Sequence, residues 1–224
     1  MKRTLFVSTL ALCLGILAGC GAARPIKFYQ LSTPHDDVPG SQPAPYPVTL
    51  LVGPIACSHL YRDDYIVYTS EAQAMGMYQY ERWAEPPSEM INDILLRELM
   101  LSGRYQHVYS LRSDVRGNYL LRGHLYDFRE ISGSVVTARV AFEFELRDTK
   151  AGTTVWSRYY SHDEPVNGKD VTAVVAALNR NVLNGLNEIT ASLEQYFAGQ
   201  SAAAPEARLL PPNWTFLAGA GKAR

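Results

Sequence analysis

The strongest pattern in the chain is a strict alternation. Val136, Ala138, Val140, Phe142, Phe144 and Leu146 are apolar, and Thr137, Arg139, Ala141, Glu143, Glu145 and Arg147 fill the places between them. A period of two over a dozen residues is a strand with one face in the core and the other in water or at an interface. Asp148 to Gly152 supplies the turn into a second strand, Thr153 to Tyr160, which makes a hairpin. Further on, Val171, Val174, Val175, Leu178, Val182, Leu186, Ile189, Leu193 and Phe197 recur every three to four residues. That spacing predicts an amphipathic helix over 169–197, about 40 Å long. Gly185 inside it marks either a soft spot or a point of close packing. A second helical stripe, Ile91, Ile94, Leu95 and Leu99, follows Pro86-Pro87 and stops at Ser102-Gly103, predicting a helix over 88–101. Shorter strands are expected at 48–52, ended by Gly53-Pro54, and at 65–69, 77–82, 105–111 and 119–128. These elements define an α+β fold: a mixed, largely antiparallel sheet with two amphipathic helices packed on one face.

The N-terminus carries a different signal. Lys2 and Arg3 precede an apolar run of thirteen residues, 5–17. A spanning helix needs about 20 residues, so this run has the length of a secretory h-region. Leu17-Ala18-Gly19-Cys20 follows at once and resembles a bacterial lipobox. Small residues at 18 and 19 let a signal peptidase reach the bond before Cys20, whose thiol takes a diacylglycerol and whose freed amine takes a third acyl chain. Several chains at about 0.8 kcal/mol per buried methylene anchor a protein without a spanning helix. Gly21 stands where Asp would retain a lipoprotein in the inner membrane, so the expected location is the inner leaflet of the outer membrane, facing the periplasm. The organisation expected is a signal peptide (1–19), a lipidated tether rich in Pro, Gly, Ser and Asp (20–47) with one short edge strand near Phe28, a single domain (48–197) and a disordered tail (198–224).

Composition narrows the function. Twenty-one basic against 22 acidic residues give a net charge of −1, whereas a duplex-binding protein needs a basic excess to displace phosphate counterions. Of three cysteines, Cys13 leaves with the signal and Cys20 is acylated. Cys57 is then alone, which excludes an intrachain disulfide and a thiolate zinc cluster and leaves a small buried hydrophobe. Five histidines are scattered, and none stands four residues from another. His162-Asp163-Glu164, expected just past a strand end, reads as a solvated turn rather than a metal site. Asp63-Asp64 reads as an Asx turn. There is no Gly-x-Ser-x-Gly elbow, and Gly219-Ala220-Gly221-Lys222 lacks the first Gly and the Ser/Thr of a P-loop. No catalytic residue, metal or organic cofactor is implied. Aromatic placement stands out instead: Tyr61, Tyr65, Tyr68, Tyr78, Tyr80 and Trp83 crowd into 23 residues. Tyr and Trp supply interface area at low entropic cost, so Tyr61, Arg62, Tyr65, Tyr78 and Trp83 are the candidate partner contacts, the alternative being that half of these rings simply cover the sheet.

The same residues carry a resemblance. The lipobox, Phe28-Tyr29-Gln30-Leu31, Val52-Gly53-Pro54-Ile55, Leu60-Tyr61-Arg62 leading to Ile66-Val67-Tyr68, Trp83-Ala84-Glu85-Pro86-Pro87, Ser102-Gly103-Arg104-Tyr105 and Tyr119-Leu120-Leu121-Arg122-Gly123 occur in order, ahead of a closing amphipathic helix. Together they resemble the ABC-type transport auxiliary lipoproteins, the PqiC-like group, over about residues 28–197. The resemblance implies a non-enzymatic outer-membrane lipoprotein of an MCE-type intermembrane lipid transport system, docking with or stabilising the periplasmic MCE assembly. It also implies Cys20 as the lipid attachment point and assembly as a homo-oligomer. A second reading stands beside it: a structural lipoprotein that chaperones an outer-membrane protein or other envelope component. A third, a hydrolase, needs a clustered nucleophile and base.

Overall fold

The computed structural model describes residues 24–32, 44–70 and 74–203. Cys20, the signal segment and the chain beyond 203 lie outside the described residues. Among the described residues the chain forms one eight-stranded sheet and two α-helices. In order these are β1 (Lys27–Tyr29), β2 (Tyr46–Cys57), β3 (Tyr65–Thr69), β4 (Met75–Trp83), α1 (Pro87–Leu101), β5 (Tyr105–Ser110), β6 (Tyr119–Ile131), β7 (Thr137–Asp148), β8 (Thr154–Pro165) and α2 (Val171–Ala203).

β6 is the hub of the sheet. Along one edge it pairs antiparallel with β7, which pairs antiparallel with β8. Along its other edge β2 runs parallel to residues 119–125 and β3 runs parallel to residues 130–131. The sheet therefore forks: β5 extends one branch beyond β2, and β4 and β1 extend the other beyond β3. The two longest ladders are antiparallel, giving the α+β fold with a mixed, largely antiparallel sheet. A single 3₁₀ turn, His59–Tyr61, begins the connection from β2 to β3 along the edge of β6.

Both helices cover one face, α1 over β2 and β5, α2 over β8 and β7, and they touch each other. Phe142 and Tyr160 stack at 5.3 Å beneath α2. A Cβ on Gly185 would stand 2.6 Å from Phe142 and 2.7 Å from Tyr160, so this glycine is a point of close packing. One turn away, the fully buried Asn181 accepts from the Tyr160 hydroxyl (2.7 Å) and donates to the carbonyls of Ala138 (2.8 Å) and His162 (2.9 Å). Burying an amide is tolerable because every bond it needs is made. α1 ends at Ser102, and Gly103 takes the left-handed conformation (φ 61°) that terminates helices. In the β7–β8 turn the Asp148 carboxylate accepts from the backbone N–H groups of Lys150 and Ala151, both at 2.8 Å.

Several boundaries move. β2 does not end at Gly53-Pro54. It continues to Cys57 through a register shift between Val52 and Ile55, a bulge at which a missing N–H is tolerated. β8 continues to Pro165, so His162-Asp163-Glu164 is strand and not a solvated turn. There Arg139 grips Asp163 through two bonds of 2.6 Å, and Glu164 pairs with Arg180 of α2 at 3.1 Å. The tether contributes β1 and then the buried Leu31, while α2 runs to Ala203, into the segment expected as tail. Cys57 is half-buried against the core, its sulfur 3.7 Å from Ser88 Oγ.

Candidate partner-binding face

The alternation along β7 assigns the two faces of the sheet. Val140, Phe142, Phe144 and Leu146 point to the helices, and Arg139, Ala141, Glu143 and Glu145 point away. No described helix covers that second face. Across it Arg122 meets Glu145 (3.5 Å), Arg129 meets Asp127 (3.2 Å) and Arg139 meets Asp163. Arg139 holds the Asp163 carboxyl below its ordinary value of 3.8, chiefly through the hydrogen bonds, and the Arg139 pKa rises in turn.

Exposed aromatics sit among these charges. Tyr126 donates to Glu143 (3.0 Å), lies 4.3 Å from the His124 ring and 5.9 Å from the Tyr159 ring. The bond to Glu143 raises the Tyr126 pKa, because ionising the phenol would oppose the carboxylate. Tyr126 points away from the helices by plain alternation after the inward-facing Leu125, and the bulge that follows, with Leu125 opposite Phe142 and Asp127 opposite Ala141, brings Asp127 to the same face. A hollow of about 260 Å³ opens beside it, lined by Pro54, Ala56, Arg122, His124, Glu143 and Glu145, among others. On the other branch Arg82 lies over the Tyr65 ring at 3.9 Å, a cation–π contact on the same bare face.

Of the five residues expected to meet a partner, Arg62, Tyr65 and Tyr78 keep accessible surface, Tyr78 on the helix side. Arg62 is exposed and Tyr65 half-buried under Arg82. Tyr61 is 2% exposed and Trp83 1% exposed, so both are interior residues and not interface. Tyr61 donates to Asp127 of β6 at 3.4 Å, and burial raises its pKa. Trp83 packs on Phe128 at 5.3 Å, while its backbone N–H donates to Asp64 and that of Ala84 donates to Tyr29, both at 2.7 Å. The Trp-Ala-Glu-Pro junction thus fastens β4, β1 and the start of α1 together. Tyr78 turns to the helix side and donates to the buried Glu130 at 2.6 Å. Burial and that bond push its pKa well up. Glu130 also accepts from Ser132 at 2.7 Å. Sequence reasoning missed His124, Tyr126 and Tyr159. The alternation set by the buried Leu121 and Leu125 puts His124 and Tyr126 on the outward side of β6, and that is the signal that could have found them.

Among the described residues no three His, Cys, Asp or Glu side chains stand close enough to hold a metal ion. None of the described helices is long and apolar enough to cross a membrane.

A sheet backed by helices on one side, with a charged and aromatic second side left bare, defines a two-layer α+β protein with an open sheet face. The chain belongs to the family of ABC-type transport auxiliary lipoprotein components, whose model matches residues 29–190. A crystal structure of a Xanthomonas campestris protein of the DUF330 family resembles it with a TM-score of 0.66 at 20% identity, over 79% of this chain and 99% of that one. A second crystal structure, of an uncharacterised protein, gives 0.60 at 14% identity, over 76% and 99%. At those identities the likeness establishes the fold. No protein with a curated description matches the chain.

Proposed function

We propose that this protein is a non-catalytic outer-membrane lipoprotein of an MCE-type intermembrane lipid transport system, anchored through acylated Cys20 and facing the periplasm. The match of residues 29–190 to the auxiliary lipoproteins of ABC-type transport carries this reading. Leu17-Ala18-Gly19-Cys20 supplies the anchor, and Gly21 favours the outer membrane. The protein docks with or stabilises the MCE-domain assembly, as a homo-oligomer, and needs no cofactor beyond its covalent lipid. Docking uses the bare sheet face, where Tyr65 with Arg82 and Tyr126 with Tyr159 offer aromatic area beside charge.

The test is a pull-down of the mature lipoprotein from detergent-solubilised envelopes, with mass spectrometry. An MCE-domain protein should be recovered, and Arg62→Glu with Tyr126→Ala should reduce its yield without lowering the amount of folded bait. Recovery of a β-barrel or assembly factor alone would refute the transport reading and favour a chaperone role.

A further inference from the structure

The anchor's position restricts how the domain can stand on its membrane. Arg24 is pinned, with its guanidinium 3.2 Å from Glu81 and 5.2 Å from the Tyr80 ring centre. Arg24 stands four positions after Cys20, and an extended chain covers at most about 3.6 Å per residue, so the tether from Arg24 to an anchor at Cys20 is at most roughly 14 Å long. The direction is also fixed. β1 runs parallel to β4 with Lys27 opposite Glu81. Upstream of Lys27 the chain therefore travels back along β4 towards Met75.

That end of the molecule is where two hairpins stop side by side. Thr69 pairs with Met75 within one hairpin and with Ile131 of β6 across to the other, and Ser132 donates to the Thr69 carbonyl at 2.9 Å. The same end presents apolar side chains to solvent: Ile26 is 51% exposed, Met75 48%, Met77 43% and Val135 67%. Lys27 and Arg24 flank them, and among the described residues nearby Glu81 and Glu130 are buried and hydrogen-bonded and Glu164 is paired with Arg180. The opposite end, with the β7–β8 turn and Lys150, also exposes Leu111, Val115 and Val155, at 41%, 42% and 36%, but it lies a twelve-residue strand away, at about 3.3 Å per residue, beyond the reach of a short tether from Arg24.

We propose that this hairpin end is a membrane seat. Ile26, Met75, Met77 and Val135 enter the interfacial layer of the phospholipid leaflet, and Arg24 and Lys27 face the phosphates. The inference rests on the Cys20 anchor proposed above and goes beyond it, because a lipid chain alone leaves orientation free. Apolar side chains within a short tether's reach add burial and fix one pose. The strands then run away from the leaflet, and the bare sheet face stands upright in the periplasm.

The test uses the full lipidated chain in vesicles of phosphatidylethanolamine and phosphatidylglycerol. A Cys57→Ala background carries one environment-sensitive fluorophore at Met77→Cys, Val135→Cys or Lys150→Cys. Labels at 77 and 135 should shift to shorter wavelength and lose intensity to phospholipids spin-labelled near the headgroup, and the label at 150 should do neither. Substituting Met75 and Ile26 by Asp should abolish the shift at 77 while the protein still floats with the vesicles. If the chain floats but the labels at 77 and 135 behave like that at 150, the membrane seat is wrong and the anchor stands. If the chain does not float, both fall.

Discussion

Replacing Gly185 by Ala sets two opposed effects against each other. Ala is favoured over Gly in a helix interior by about 1 kcal/mol. The added methyl would stand 2.6 Å from Phe142 Cζ and 2.7 Å from Tyr160 Cδ1 and Cε1, where carbon atoms settle at about 3.5–4.0 Å. Something must give by about 1 Å. Phe142 is fully buried, and the Tyr160 ring is held through its hydroxyl by the buried Asn181. Its pKa, pushed up to about 12 by burial, is that of a phenol fixed in the interior. Neither ring can swing away, so α2 must lift off β7 and β8. Overpacking of this kind costs typically 1–3 kcal/mol, and the net expectation for Gly185→Ala is a loss of up to about 2 kcal/mol, lowering Tm by up to roughly 8 °C. Gly199 of the same helix has open space around it, so Gly199→Ala should gain up to about 1 kcal/mol. Urea unfolding of the unlipidated domain, followed by circular dichroism, measures both. If Gly185→Ala is stabilising like Gly199→Ala, the close approach of helix and sheet is wrong and the glycine has no packing role.

Asn181→Ala should cost about 2 kcal/mol or more, because it takes the side-chain donor from two carbonyls at about 1–3 kcal/mol each and leaves the Tyr160 hydroxyl only its 3.3 Å bond to the residue-181 carbonyl. The same unfolding assay reads it. Tyr61→Phe should lose about 1 kcal/mol with its buried bond to Asp127, whereas Arg62→Ala, on an exposed side chain, should change stability by less than about 0.5 kcal/mol. The Asp163 carboxyl is held below its ordinary 3.8 by Arg139, so it stabilises the fold above that pH and the contribution is lost as pH falls through the lowered value. Asp163→Asn should therefore cost under about 1 kcal/mol at neutral pH, since the pair is partly exposed, and the gap to wild type should close in acid titrations below 3.8. Cys20→Ser should move the protein from the membrane to the soluble periplasmic fraction, measured by immunoblot after fractionation.

The fold was legible where a local period met a single buried face. β7 is buried on one side along its whole length, so its alternation survives intact in the sequence. α2 likewise shows its stripe because it packs on the sheet from Val174 to Phe197. The order of the strands was not legible. β2 and β3 dock parallel on the same edge of β6 through contacts dozens of residues apart, and no turn residue marks such a pairing. Gly53-Pro54 misled for a related reason: the pair punctuates most strands, but here it occupies a bulge and the strand resumes.

The aromatic cluster exposes the deeper limit. Assigning a strand residue to a face requires counting by twos, and two irregularities spoil the count. In β4 the four residues between Met77 and Arg82 oppose only Ile66, between Val67 and Tyr65, so parity cannot carry from Met77 to Trp83. In β6 the extra Tyr126 shifts every later residue by one. Tyr61, Tyr78 and Trp83 consequently read like Tyr65 in sequence yet end inside or on the helix side. What separates them is the partner that each polar tip finds. The hydroxyls of Tyr61 and Tyr78 reach Asp127 and Glu130 across the fold, 66 and 52 residues away. The hydroxyl of Tyr126 reaches the exposed Glu143 of the neighbouring strand, and its ring stays in solvent at 46% exposure. A tyrosine-rich segment therefore marks where aromatic rings are concentrated. Which ones remain free for a partner is decided by the side of the strand each falls on and by the distant carboxylates that the inner ones reach, and on this sheet Tyr126 and Tyr159 are left on the face that the helices do not cover.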